Sequence, residues 1–128
     1  MNILLDTHAF LWWITDDPQL SATARRLIKD SGNTLYWSAA SSWEVGIKYA
    51  LNRLPLHDEP ERFLAQELAE NQIESLPITD RYAFQAGRLP RHHKDPFDRM
   101  LIAQAVTDSL VLLSCDSLFD LYDVRVMW

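Results

Sequence analysis

Four acidic residues stand where a chain can bring carboxylates together. Asp6 ends the apolar run Asn2-Ile3-Leu4-Leu5, and Asp116 follows the apolar stretch Leu110 to Ser114. Glu44 and Asp98 each fall near the start of a helical pattern. Carboxylates that converge repel one another by roughly 4 kcal/mol per pair at 4 Å and an effective dielectric of 20, so such a cluster needs a counter-charge. A hard divalent cation with oxygen ligands is the natural one. Mg2+ suits sparse carboxylates, because it keeps several waters and takes its remaining ligands from phosphate oxygens, with Mn2+ as the alternative ion. An ion held this way lowers the pKa of a bound water, orients it at a phosphodiester and stabilises the leaving oxygen, and two ions can divide these tasks. No serine or cysteine nucleophile is then required. With three glycines in the chain, a glycine-rich phosphate loop is hardly available.

The acids need elements to place them. Asp95 to Ala105 reads as a helix lying against a sheet: Asp95 is a good N-cap, Pro96 suits the first helical position, and Phe97, Leu101, Ile102 and Ala105 recur at helical spacing. Asp98 then sits in the first turn. Before it, Asn2 to Leu5 reads as a buried strand and His8 to Ile14 as a helix, broken at Asp16-Asp17-Pro18. Ser21 caps a helix through Leu27 and Ile28 that Gly32 stops, and Thr34 to Trp37 is a second strand. Ser41 to Asn52 is helical with Trp43, Ile47 and Leu51 on one stripe and Glu44 in its first turn. After the loop Pro55 to Pro60 come a helix from Glu61 to Asn71, a strand from Ile73 to Leu76, and a helix from the Thr79 cap to about Gly87. Arg88 to Lys94 is a basic loop entering the Asp95 helix. Leu110 to Ser114 is a strand, Ser117 to Tyr122 a helical turn, and Val124 to Met127 a last, edge-like strand. Strands alternating with helices predict an α/β fold with a mostly parallel central sheet and helices on both faces. In such sheets ligand sites gather beyond the carboxyl ends of the strands, where strand order reverses. Asp6 and Asp116 fall at such ends.

Composition sets bounds on the rest. The 128 residues, 48% apolar and 23% charged, suit one domain spanning 1–128. A single cysteine, Cys115, excludes an intrachain disulfide or a thiolate cluster and fits a reducing cytosol. No signal peptide and no apolar run of about 20 residues is seen, so a cytoplasmic protein without a membrane partner is expected. The net charge of -6 argues against a broad basic face for nucleic acid but does not exclude nucleic acid as a substrate.

On these residues the chain resembles the PIN-domain family, in particular its VapC-type ribonuclease toxins from bacterial toxin–antitoxin pairs. The resemblance rests on Leu4-Leu5-Asp6-Thr7-His8, Ser41-Ser42-Trp43-Glu44, Asp95-Pro96-Phe97-Asp98-Arg99 before Leu101-Ile102-Ala103, and Ser114-Cys115-Asp116, and it covers nearly the whole chain. It implies a PIN-like fold and a Mg2+- or Mn2+-dependent endoribonuclease with its acidic site at Asp6, Glu44, Asp98 and Asp116. It also implies a cognate antitoxin that blocks the site, and frequent dimerisation. Metal would be held by Asp6, Asp98 and Asp116, with Glu44 as a ligand or a water-orienting base. The family pattern favours Asp98 over Asp95, which is then the helix cap or a peripheral ligand.

Each acid also has a plain structural explanation. Asp6 could open a turn, Ser41 and Glu44 have the spacing of a capping box, Asp98 is favoured by the helix dipole alone, and Asp116 could be a turn residue. The case for chemistry rests on the set. His8, His92 and His93 are read as packing or solvated residues rather than as bases or ligands. Arg91, His92, Lys94 and Arg99 are candidate contacts for RNA phosphates. Adjacent Trp12 and Trp13 cannot share one helix face, which hints at a partner surface, a second copy or an antitoxin helix. Two rivals are another Mg2+-dependent phosphoryl hydrolase and an inactive PIN-like binding module. An aspartyl-phosphate phosphatase would want a second acid two residues after Asp6, where His8 stands.

Overall fold

The central strand explains the architecture. In β1 (Asn2–Leu5), Ile3, Leu4 and Leu5 are all fully buried, as happens when both faces of a parallel sheet are covered. Side-chain alternation splits them. Ile3 and Leu5 join one core with Phe10, Leu27, Trp37, Phe63 and Leu113, while Leu4 joins another with Leu101, Ile102, Leu112 and Phe119. The computed structural model describes residues 1–128 and shows a five-stranded sheet whose pairings are all parallel, in the order β3-β2-β1-β4-β5, where β2 is Thr34–Ser38, β3 Ile73–Leu76, β4 Val111–Leu113 and β5 Val126–Met127.

Helices α1 (Thr7–Ile14), α2 (Ala22–Lys29) and α4 (Pro60–Glu70) supply the first core with Phe10, Leu27 and Phe63, and α6 (Pro96–Asp108) supplies the second with Leu101 and Ile102. Two further helices are α3 (Ala39–Ala50) and α5 (Asp80–Arg88), and a 3-10 helix spans Ser117–Leu121. The caps at Ser21, Thr79 and Asp95 are those the sequence indicates: each side chain accepts a hydrogen bond from an amide in the first turn of its helix. From β1 the chain steps outward through β2 to β3, then returns to the other side of β1 for β4. Strand order therefore reverses between β1 and β4, and the gap beyond their carboxyl ends is the place for a ligand.

Helix α3 departs from expectation. It starts at Ala39, because β2 runs into it without a loop and Ser38 takes the cap, its Oγ accepting from the Ala40 amide at 3.0 Å. Ser41 is thus interior, and its Oγ accepts from Thr7 Oγ1 at 2.8 Å, fastening α3 to α1. The Ser41–Glu44 capping box does not form, and Glu44 lies in the second turn. The predicted apolar stripe is also inverted: Trp43, Ile47 and Leu51 are exposed, and α3 packs inward through Ala40, Ser41 and Val45. The last strand is shorter than predicted, since Val124 closes a turn onto the Tyr122 carbonyl at 2.9 Å.

Candidate active site

Three of the acids are helix caps that turn toward the same gap. Asp6 ends β1 and caps α1: its Oδ1 accepts from the His8 amide at 2.9 Å and its Oδ2 from Ser114 Oγ at 2.6 Å. The Asp6 amide reaches across to the Leu113 carbonyl at 3.1 Å, tying the ends of β1 and β4 together. Asp116 caps the 3-10 helix, with Oδ1 accepting from the Leu118 amide at 3.0 Å, and its own amide donates to Ser114 Oγ at 3.1 Å. Ser114 therefore bridges the two acids. Asp95 caps α6, its Oδ1 accepting from the amides of Phe97 at 2.8 Å and Asp98 at 3.3 Å.

Asp98, in the first turn of α6, has a half-buried carboxylate that accepts no hydrogen bond within the chain. Burial raises its pKa to about 7, reinforced by the charges of Asp95, Asp6, Glu44 and Asp116. Asp6 is raised as well, chiefly by burial, against the hydrogen bonds from Ser114 and His8 that favour its charged form. The acids picked out by the sequence thus act on one another through a shared, poorly hydrated space. Glu44 brings its own counter-ion, Lys48, with Nζ 3.0 Å from Oε2. The edge-on contact of Trp43 with Phe97, ring centroids 5.1 Å apart, holds α3 against α6 beside this space.

The tightest group includes a residue read as solvated. Ligand atoms of His93, Asp98 and Asp116 lie within 4.8 Å of one another. The His93 side chain is only 4% exposed, with Nε2 3.3 Å from Asp116 Oδ2. Its ring stacks on Phe119 at 4.9 Å, and its amide donates to Tyr122 Oη at 2.8 Å. Nothing local in the sequence separates His93 from His92; the burial comes from residues 26 to 29 positions away. His92 does lie at the surface, edge-on to Tyr122. His8 is also exposed, with Nδ1 3.8 Å from Asp6 Oδ1.

The basic loop splits in two. Arg91 and Lys94 are exposed and make no ion pair. Arg99 is not available to phosphate: Nη1 donates to the carbonyls of Pro90 at 3.0 Å and His93 at 3.4 Å, and Nη2 to those of Ala86 at 2.6 Å and Leu89 at 3.1 Å. Two of those carbonyls close the end of α5, which has no glycine cap, so the guanidinium caps that helix.

An all-parallel sheet with this reversal and acids at β1, α3, α6 and β4 is what the resemblance leads one to expect, and residues 3–124 match the PIN domain family. The chain belongs to that family. A relative, Ribonuclease VapC22 of Mycobacterium tuberculosis, is 30% identical over 116 residues, covering 90% of this chain and 87% of the relative. The PIN fold is seen again in a structure of VapBC2 from Rickettsia felis bound to a promoter DNA fragment, with a TM-score of 0.72, 16% identity and coverage of 99% and 98% of the two chains. It is seen too in VapBC-1 from nontypeable Haemophilus influenzae, with a TM-score of 0.65, 18% identity and coverage of 99% and 97%. Within the PIN fold the donor set fits a hard divalent ion. It offers carboxylate oxygens, those of Asp98 without any protein donor, at the point where strand order reverses.

Proposed function

We propose that this PIN protein is a Mg2+-dependent endoribonuclease, with Mn2+ as an alternative ion, and the toxin of a type II toxin–antitoxin pair in the cytoplasm. The observation that carries the reading is Asp98, a carboxylate with no hydrogen-bond donor, pressed upon by four other acids at the β1/β4 switch point. Its setting makes sense when a cation completes it. The VapC22 relative bears the name ribonuclease, which supports RNA as the polymer.

Asp6, Asp98 and Asp116 would hold the ion, with Glu44 as a ligand or water-orienting base and Asp95 as the cap that fixes Asp98. When bound, the ion supplies Lewis-acid activation of water and stabilisation of the leaving oxygen. The chain's residues do the rest. Ser114 keeps one oxygen of Asp6 oriented, the Leu118 amide does the same for Asp116, and Lys48 holds Glu44 at the rim. Arg91, His92 and Lys94, exposed on the loop that leads into α6, would contact RNA phosphates.

An antitoxin segment fits the cleft beside the site. A cavity of about 430 Å3 between α1, α4 and the loop after α3 is lined by His8, Trp12, Arg53, Leu54, Leu56 and Phe63, and it adjoins Asp6 through His8. The neighbours that share this fold are named VapBC, which supports a partner protein for this chain. In this reading the chain is one domain over 1–128 and pairs with a second copy.

Purified protein freed of its partner should cleave total RNA or tRNA with Mg2+, lose cleavage with EDTA, and lose it in folded Asp98→Asn and Asp6→Asn variants. Cleavage that persisted in both variants would overturn the assignment.

A further inference from the structure

Among the buried polar side chains, His93 faces the acids and has no part in the proposed function. His93 is tied by its backbone to Tyr122 and by its ring to Phe119, so its imidazole is held with Nε2 toward the gap between Asp116 and Asp98. Two readings of that placement differ in geometry. A hydrogen bond from an imidazole N–H to a carboxylate runs at about 2.7–2.9 Å. Two ligands in adjacent positions of one octahedral ion, each about 2.1 Å from it, stand about 3.0 Å apart. The observed 3.3 Å between Nε2 and Asp116 Oδ2 admits either, and what favours the second is Asp98, whose carboxylate shares the 4.8 Å group with them and accepts no hydrogen bond within the chain. The opposite ring nitrogen has a partner that completes the pattern: Nδ1 lies 3.3 Å from Tyr122 Oη. Donation of the Nδ1 proton to that oxygen leaves the Nε2 lone pair facing Asp98 and Asp116, which is how a ligating histidine is usually held.

We propose that His93 is a nitrogen ligand, through Nε2, of the divalent ion held by Asp98 and Asp116. The inference rests on the metal-dependent reading of the site, and it adds a consequence for metal choice. Imidazole is a better ligand for later first-row ions than for Mg2+, so the site should prefer Mn2+ and Co2+ over Mg2+ more strongly than carboxylates alone would make it. His93→Gln should lower affinity for Co2+ by about tenfold or more, with a smaller loss for Mg2+.

The test is electron spin-echo envelope modulation of Mn2+ bound to the intact, partner-free wild-type protein. A 14N modulation from coordinated imidazole is expected, lost in His93→Gln and kept in His8→Gln, which controls for the exposed imidazole near Asp6. Mn2+ bound without nitrogen modulation in the wild type would overturn the assignment of His93 and leave the carboxylate site standing. Modulation lost only in His8→Gln would do the same. Failure of the wild type to bind Mn2+ at all would overturn the metal reading itself. The decisive measurement is on the wild type, so it does not depend on the variants folding.

Discussion

Asp98 shows how much one side chain reveals once its neighbours are known. Its position three residues after an Asp-Pro cap was legible, because caps and first turns are local signals. Its acidic neighbours, which follow β1 and β4 or lie on α3, were legible only as a set and through the family resemblance, and its burial was not legible at all. The raised pKa of about 7, set first by burial and then by Asp95 and the other acids, has a consequence for stability. The unfolded chain releases the Asp98 proton near 3.8, whereas the folded chain keeps it until about 7, so between these values the folded state binds more protons. Stability from this group is full below about pH 4 and is lost as pH rises through 7. Metal-free Asp98→Asn should therefore melt above wild type at pH 8, and the gap should close toward pH 4. Relief of even about 1 kcal/mol shifts the melting temperature by about 3–6 °C in a domain of this size. Thermal melts of both proteins across that range check it. Mg2+ should raise the melting temperature of wild type more at pH 8 than at pH 5, and of Asp98→Asn little at either. His93 lies at the opposite end of legibility: only the rings of Phe119 and Tyr122, folded over it, distinguish it from its exposed neighbour His92.

At the scale of elements, strands and most helices follow from the sequence because burial on both sheet faces forces continuous apolar runs and caps punctuate them. Helix α3 shows where this stops. A stripe of Trp43, Ile47 and Leu51 satisfies every rule for a core-facing helix, but the face that is buried carries Ala40, Ser41 and Val45, with Ser41 bonded to Thr7 of α1. Periodicity identifies a helix without saying which face is inward when both faces carry apolar residues. Arg99 is a similar case, a cation whose spacing suggests phosphate and whose contacts are all backbone carbonyls. It joins α6 to the end of α5 and to the loop carrying His93. Arg99→Ala should cost about 1.5–3 kcal/mol, on the scale of a charged hydrogen bond, since the carbonyls it leaves are at most partly buried. Arg99→Lys should recover little, because an ammonium cannot span four acceptors in a fork. Urea denaturation measures the first effect. Hydrogen exchange should show loss of protection confined to the end of α5 and residues 88–94.

At the scale of the whole molecule, charge and exposed surface limit how partners bind. The exposed stripe of Trp43, Ile47 and Leu51, 61%, 39% and 55% exposed, is one apolar face that the second copy proposed above would cover. Ile47→Lys with Leu51→Lys should make a sedimenting dimer monomeric; unchanged sedimentation would place the pairing elsewhere. The net charge of -6 bears on RNA. A protein this acidic cannot grip a long stretch of backbone by counterion release, so few phosphates are neutralised and binding should depend only shallowly on salt. Since Arg99 is tied to carbonyls and Lys48 to Glu44, the free cations of the basic loop are Arg88, Arg91 and Lys94, of which the last two are nearest in sequence to Asp98. Each phosphate contact on a single strand contributes about -0.7 to the slope of log affinity against log salt. Arg91→Ala with Lys94→Ala should therefore make the slope shallower than that of the parent protein by about 1.4 and weaken binding at low salt. Titration of a catalytically inert Asp98→Asn background with a labelled single-stranded RNA from about 25 to 200 mM salt checks it. An unchanged slope in the double variant would move RNA binding off the 88–94 loop and onto another face of the PIN domain.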